Sequence, residues 1–125
     1  MSAGAHLPAA LAPRRQEIWK VRLDPTQGSE TQKTRPCVVV SSAMLAFLPV
    51  RIIVPVTELQ SKHASVVWRV PILPSGTNGL TKPSVADTAQ VRCVSTRRFV
   101  GKLGRLEDDR FREILAALVI CLDAS

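Results

Sequence analysis

The sequence predicts a mainly β domain (α+β): a small, strongly curved antiparallel barrel closed by one C-terminal α-helix. Three observations carry that expectation. Several short runs, among them EIWKVRL, RPCVVVSS and VRIIVPVT, are apolar or alternate with a period of two, as strands do. Turn-rich polar segments separate them. Only the last stretch, EDDRFREILAALVICLDAS, keeps apolar residues at helical spacing. At 125 residues the chain has the length of one domain. A chain of that size buries about two-thirds of its unfolded surface, so it needs no disulfide or metal to fold.

The elements follow in order. Residues 1-15, MSAGAHLPAALAPRR, are weakly apolar and broken by proline, and read as a disordered tail ahead of a domain spanning 16-125. Their positive charges sit at the wrong end for a signal peptide. In EIWKVRL, Trp19, Val21 and Leu23 face one way and Lys20 and Arg22 the other, a half-buried strand. DPTQGSETQKT carries no packing signal and reads as a long loop. RPCVVVSS is the second strand: Cys37, Val38, Val39 and Val40 form a buried run, and Pro36 holds Arg35 at its mouth.

SAMLAFL allows one or two helical turns before the third strand, VRIIVPVT, which Pro55 interrupts near its end. SVVWRVPI reads as a fourth strand and PSGTNGLTKPS as a turn-rich excursion. SVADTAQVRCV alternates, with Val85, Asp87, Ala89, Val91 and Cys93 on one face; Asp87 breaks that face as a bulge or a functional exception. RFVGKLGRL gives a short last strand. In the terminal helix Phe111, Ile114, Leu115, Leu118 and Leu122 form a stripe for docking on the sheet. Glu107, Asp108 and Asp109 occupy its first turn, where the helix dipole favours carboxylates.

Seventeen Lys and Arg against ten Asp and Glu leave a net charge of +7, which favours a polyanionic partner. No apolar run approaches the ~18 residues of a membrane span, so a cytoplasmic protein is expected. Cys37, Cys93 and Cys121 are odd in number and far apart, and read as free buried thiols.

If the partner is nucleic acid, chemistry on it requires charge to be handled at phosphorus. A histidine acid/base pair needs two placed imidazoles, but His6 falls in the tail and His63 in a polar turn. A two-metal site needs converging carboxylates; Glu17, Asp24, Glu30, Glu58 and Asp87 stand apart in the sequence. No Walker glycine loop or zinc spacing occurs. Tyrosine is absent, and Trp19 and Trp68 sit in strands as expected core residues, which leaves no stacking platform for bases.

What remains is a site of arginine and hydroxyls without metal or cofactor. Such a site suits RNA, whose own 2′-OH is the nucleophile, far better than DNA. Arg35 is the cation placed for it, mainly as an electrostatic clamp, with proton transfer in the closed complex as a second part. A surface arginine paired with Glu30 is the equal alternative from residue chemistry alone.

The spacing of DPTQGSETQKTRPCVVVSS resembles the signature of the MazF/PemK toxin family, at Asp24-Pro25, Gly28-Ser29-Glu30 and Arg35-Pro36. IIVPVTEL resembles the family strand that ends in a hydroxyl residue, here Thr57. Further matches fall at Gly79-Leu80, Ser84-Val85, Gln90, Arg92 and Gly104-Arg105-Leu106, so the resemblance runs from about residue 16 to the end. It implies an SH3-like barrel, a two-fold homodimer, and cleavage of single-stranded RNA at short sequences. It also implies an antitoxin partner that lays an acidic segment over the same groove.

By resemblance Arg35 is the catalytic arginine and Thr57 the hydroxyl that positions the phosphate. Gln90 and Arg92 carry over as RNA contacts, and the loop from Ser29 to Lys33 as a cover that helps choose sequence. One departure stands out: many relatives have a carboxylate where this chain has Ala89. The recognition sequence therefore does not transfer, and Asp87 either substitutes from the same face or is structural.

Arg97, Arg98, Lys102 and Arg105 form a basic run that is either a solvated face or an RNA-phosphate track. Two other functions remain open: a toxin of the same fold that poisons a protein such as DNA gyrase, and a barrel that binds RNA without cutting it. The ending CLDAS, without tryptophan, disfavours the first.

Overall fold

The computed structural model describes residues 12–23, 33–60 and 66–124. Its strands are β1 (Glu17–Arg22), β2 (Thr34–Val39), β3 (Val50–Glu58), β4 (Arg69–Ile72), β5 (Ser84–Asp87), β6 (Arg92–Ser95) and β7 (Phe99–Arg105), followed by α1 (Asp108–Leu122). They form one antiparallel sheet ordered β4-β5-β3-β2-β1-β7, with β6 also on β3. The architecture is the expected small SH3-like barrel with a single terminal helix.

β3 is the strand that curves the sheet. One edge pairs with β2. The other pairs with β6 from Val50 to Ile53 and with β5 from Val56 to Glu58. Pro55 lies at that change of partner, where its missing N–H is not called on. The proline therefore marks the switch and does not end the strand.

Curvature buries both faces of β2 and β3, which explains the unbroken apolar run Cys37–Val40. One face packs Ile18, Val38, Val54, Val56 and Ile72 under Phe111 and Ile114 of α1. The other packs Trp19, Val21, Cys37, Val39, Ile53 and Val94, with Phe99 at its edge. Trp19 and Phe99 meet edge to face, centroids 5.8 Å apart.

Several expectations are corrected. SVADTAQVRCV is not one strand: a 3-10 turn, Thr88–Gln90, separates β5 from β6, and the Asp87 carboxylate caps it by accepting from Ala89 N at 3.1 Å. The short polar side chain competes with the ladder for its own backbone. Trp68 lies outside β4 and is 37% exposed, so only Trp19 is a core tryptophan. Cys37 is buried, but Cys93 and Cys121 are exposed. The helical stripe ends before Leu122, which is exposed as the last residue of α1, ahead of the left-handed Asp123 (φ 53°) that terminates the helix.

Of the segment read as a tail, residues 12–15 are described and tied down. The buried guanidinium of Arg51 donates to Pro13 O at 2.9 Å, and Arg15 Nη1 to Val40 O at 2.6 Å. Residues 1–11, the loop residues 24–32 with Ser29 and Glu30, and His63 lie outside the described residues.

The turn-rich excursion is ordered by one fully buried side chain. Asn78 Nδ2 donates to Leu73 O (2.9 Å) and Glu107 Oε1 (3.1 Å), while its Oδ1 accepts from Ser75 N and Leu80 N. Ser75 Oγ donates to Glu107 Oε2 at 2.6 Å. Glu107 thus anchors the excursion to the start of the helix, beyond any dipole effect.

Candidate functional site

Antiparallel register brings the two central residues together. Cys37 stands opposite Pro55. Two steps outward along each strand set Arg35 opposite Thr57, and alternation puts both on the Cys37–Ile53 face of the sheet. At the barrel mouth both residues also border a cavity of about 370 Å³, whose Val56, Leu80 and Leu103 belong with the opposite face of the sheet and which Lys20, Glu58, Lys82 and Ser84 line as well. Arg35 is half-buried, and among the described residues no carboxylate pairs with it.

Arg92 joins the same face, since it pairs across from Ile53. The Cys37 thiol records the arrangement. Burial is the larger effect and pushes its pKa up to about 12, while the charges of Arg92 and Arg35 pull it down. The thiol is therefore inert, and both guanidinia lie within electrostatic reach of it. Lys33 is exposed at the foot of β2, and its carbonyl accepts from Leu23 N at 3.4 Å. Gln90 is exposed at the end of the 3-10 turn and does not line the cavity.

The Asp87 carboxylate is engaged locally. Besides capping the turn it faces Arg69, Oδ2 to Nε at 3.7 Å. The basic run divides. Lys102 pairs with Glu17 at 3.0 Å and Arg105 with Asp108 at 3.5 Å. Arg97 and Arg98 instead meet Arg22 at the end of β1, where Arg22 Nη2 donates to Arg97 O and Arg98 Nη1 to Arg22 O. Lys20, Arg22 and Lys82 were not expected at the site. The alternation of β1 marks Lys20 and Arg22 only as outward, with no sign of what they border. Among the described residues, no three of His, Cys, Asp and Glu are grouped as metal ligands.

The excursion that contributes Gly79 and Leu80 to the cavity is held by the Glu107 carboxylate. Burial raises the pKa of Glu107, but hydrogen bonds from Ser75, its own backbone and Asn78 outweigh it and hold the carboxyl below its usual 4.5. A depressed folded-state pKa contributes stability above 4.5 that is lost as pH falls through the lower folded value. Stability is therefore expected to drop on acidification below 4.5, and Glu107→Gln to lose part of that drop. Urea midpoints at neutral and acid pH measure both, and a variant as acid-sensitive as the wild type counts against the anchor.

The fold and this face define a small barrel with Arg35 and Arg92 on one face of its sheet. The chain belongs to the PemK-like, MazF-like toxin family of type II toxin–antitoxin systems, whose family model matches residues 14–122. It is 34% identical over 113 residues to endoribonuclease MazF9 of Mycobacterium tuberculosis, covering 88% of this chain and 96% of that protein. Among solved structures it resembles a mycobacterial endoribonuclease in complex with its cognate antitoxin (TM-score 0.73, 17% identity, 91% of this chain and 98% of that one). It also resembles MazE–MazF of Deinococcus radiodurans (TM-score 0.74, 22% identity, 91% and 98%). No helix among the described residues is long and apolar enough to cross a membrane.

Proposed function

We propose that this chain is a sequence-selective endoribonuclease toxin that cuts single-stranded RNA, including mRNA, without a metal ion or cofactor. The observation that carries the reading is the register of β2 and β3, which sets Arg35 and Thr57 side by side on one face of the sheet, with Arg92 on the same face. The 2′-oxygen attacks phosphorus and a new O2′–P bond forms as the P–O5′ bond breaks. A proton leaves the 2′-OH and one is taken up by O5′. The products are a 2′,3′-cyclic phosphate and a 5′-hydroxyl.

The Arg35 guanidinium clamps the non-bridging oxygens as negative charge grows on them. The Thr57 hydroxyl orients the phosphate. Arg92 and Lys33, with Gln90 and Ser29, make the flanking RNA contacts. An acidic antitoxin neutralises the same cations, and the toxin works in the cytoplasm as a two-fold homodimer. The related MazF9 is an endoribonuclease by name, and structures of this fold with antitoxin exist, which supports both parts.

The test is to incubate purified protein with mixed RNA in EDTA and sequence the new 5′-hydroxyl ends. Recurrent cuts at one short sequence are expected. Intact RNA, or ends that appear only when metal is added, would overturn the reading.

A further inference from the structure

A second cationic cluster borders the Arg35 cavity without belonging to it. Arg22 stands opposite Thr34, the residue before Arg35, so the cluster begins next to the site. Here arginines bond to backbone carbonyls. Arg22 Nη2 donates to Arg97 O (3.3 Å), Arg98 Nη1 to Arg22 O (3.1 Å) and Arg92 Nη1 to Leu23 O (3.3 Å). Among the described residues Arg22, Arg92 and Arg97 have no ion pair. Elsewhere Arg69, Lys82, Lys102, Arg105 and Arg110 each face a carboxylate.

The cluster is also built to stay in place. Ser95 Oγ accepts from Arg97 N at 3.1 Å, and Thr96 N donates to Pro49 O at 3.0 Å, which fixes the 3-10 turn Thr96–Arg98. Arg22 commits a single guanidinium nitrogen to Arg97 O, so most of its five donors remain for a ligand. Arg22, Arg92 and Arg97 meet no acid among the described residues; like charges so gathered repel one another, and an anion relieves the repulsion. Fork-shaped donors on an ordered backbone match the oxygens of a phosphodiester.

We propose that Arg22 and Arg97 form a second phosphate-binding subsite, holding a phosphodiester that flanks the one at Arg35. The subsite rests on the ribonuclease reading for its substrate class. Its role is to set affinity and the strand's path, not to touch the reacting atoms.

The probe is a mixed-sequence RNA oligonucleotide carrying 2′-O-methyl at every position, which has no free hydroxyl to cut itself. Arg97→Gln and Arg22→Gln should each flatten the log–log salt dependence of binding by about 0.7, the slope of one phosphate on a single strand. Arg97→Lys should keep the wild-type slope. On cleavable RNA, the loss should fall on KM rather than kcat.

A slope and affinity equal to wild type in both Gln variants would overturn the subsite. So would a loss confined to kcat, or one seen only with an acidic peptide. Because the probe is never cut, failure of the ribonuclease reading shows separately, as wild-type protein that leaves ordinary RNA intact.

Discussion

Arg35→Ala abolishes cleavage of RNA while the protein still folds. The expected loss is at least 10²–10³ in the rate of the chemical step, about 3–4 kcal/mol, the usual worth of one preorganised donor to a charge that develops in the transition state. Two features separate this loss from misfolding. The Arg35 side chain carries no hydrogen bond or ion pair to another described residue, and β2 is held by Cys37, Val38 and Val39 in register with β3. Arg35→Lys should restore only part of the rate, since an ammonium cannot grip two oxygens at fixed spacing. Single-turnover cleavage in EDTA, with a melting curve beside it, decides the matter. An alanine variant that cuts at near-normal speed leaves the cavity without its clamp and the mechanism without its cation.

Gly79→Ala is expected to have the largest effect on the fold. Gly79 sits at φ +74°, and a Cβ there would lie 2.1 Å from Leu103 O and 2.7 Å from Leu103 C. Those are backbone atoms of β7, so no side chain can swing away. Left-handed strain and forced separation of the excursion from β7 together cost about 2–5 kcal/mol. Against a domain stability of about 5–15 kcal/mol this is a large share, and the melting temperature should fall by roughly 10 °C or more. Gly76→Ala is the control: nothing lies within 4 Å of its Cβ, and its melting curve should match wild type. Equal melting temperatures for the two variants would mean that the excursion is not braced on β7. Gly79 also lines the cavity, so the same substitution should weaken RNA binding.

The course of β1, β2, β3 and α1 was legible because their signal is local. Period-two alternation and an apolar run of four mark strands whatever surrounds them, and a stripe at helical spacing marks the helix. The pairing of Arg35 with Thr57 came from the resemblance, and continuing the register of β2 on β3 by two residues sets the two side by side. The break at Thr88–Gln90 was not legible. Alternation continues through it, and the turn depends on the Asp87 carboxylate preferring Ala89 N and Arg69. The exposure of Trp68, Cys93 and Cys121 was hidden for the same reason: apolar character says a residue can be buried, while coverage depends on what packs above it.

By itself the sequence determined a mainly β fold with a terminal helix, an excess of positive charge, and an arginine locked by proline at a strand's mouth. The tertiary structure alone decided which cations act together. Lys102 and Arg105 were drawn to Glu17 and Asp108, whereas Arg22, Arg92 and Arg97 were brought from distant segments to a surface near Arg35 where no acid among the described residues pairs with them. The reason is geometric: charge is counted along the chain, but it attracts through space, and only the curvature of β3 sets those distances.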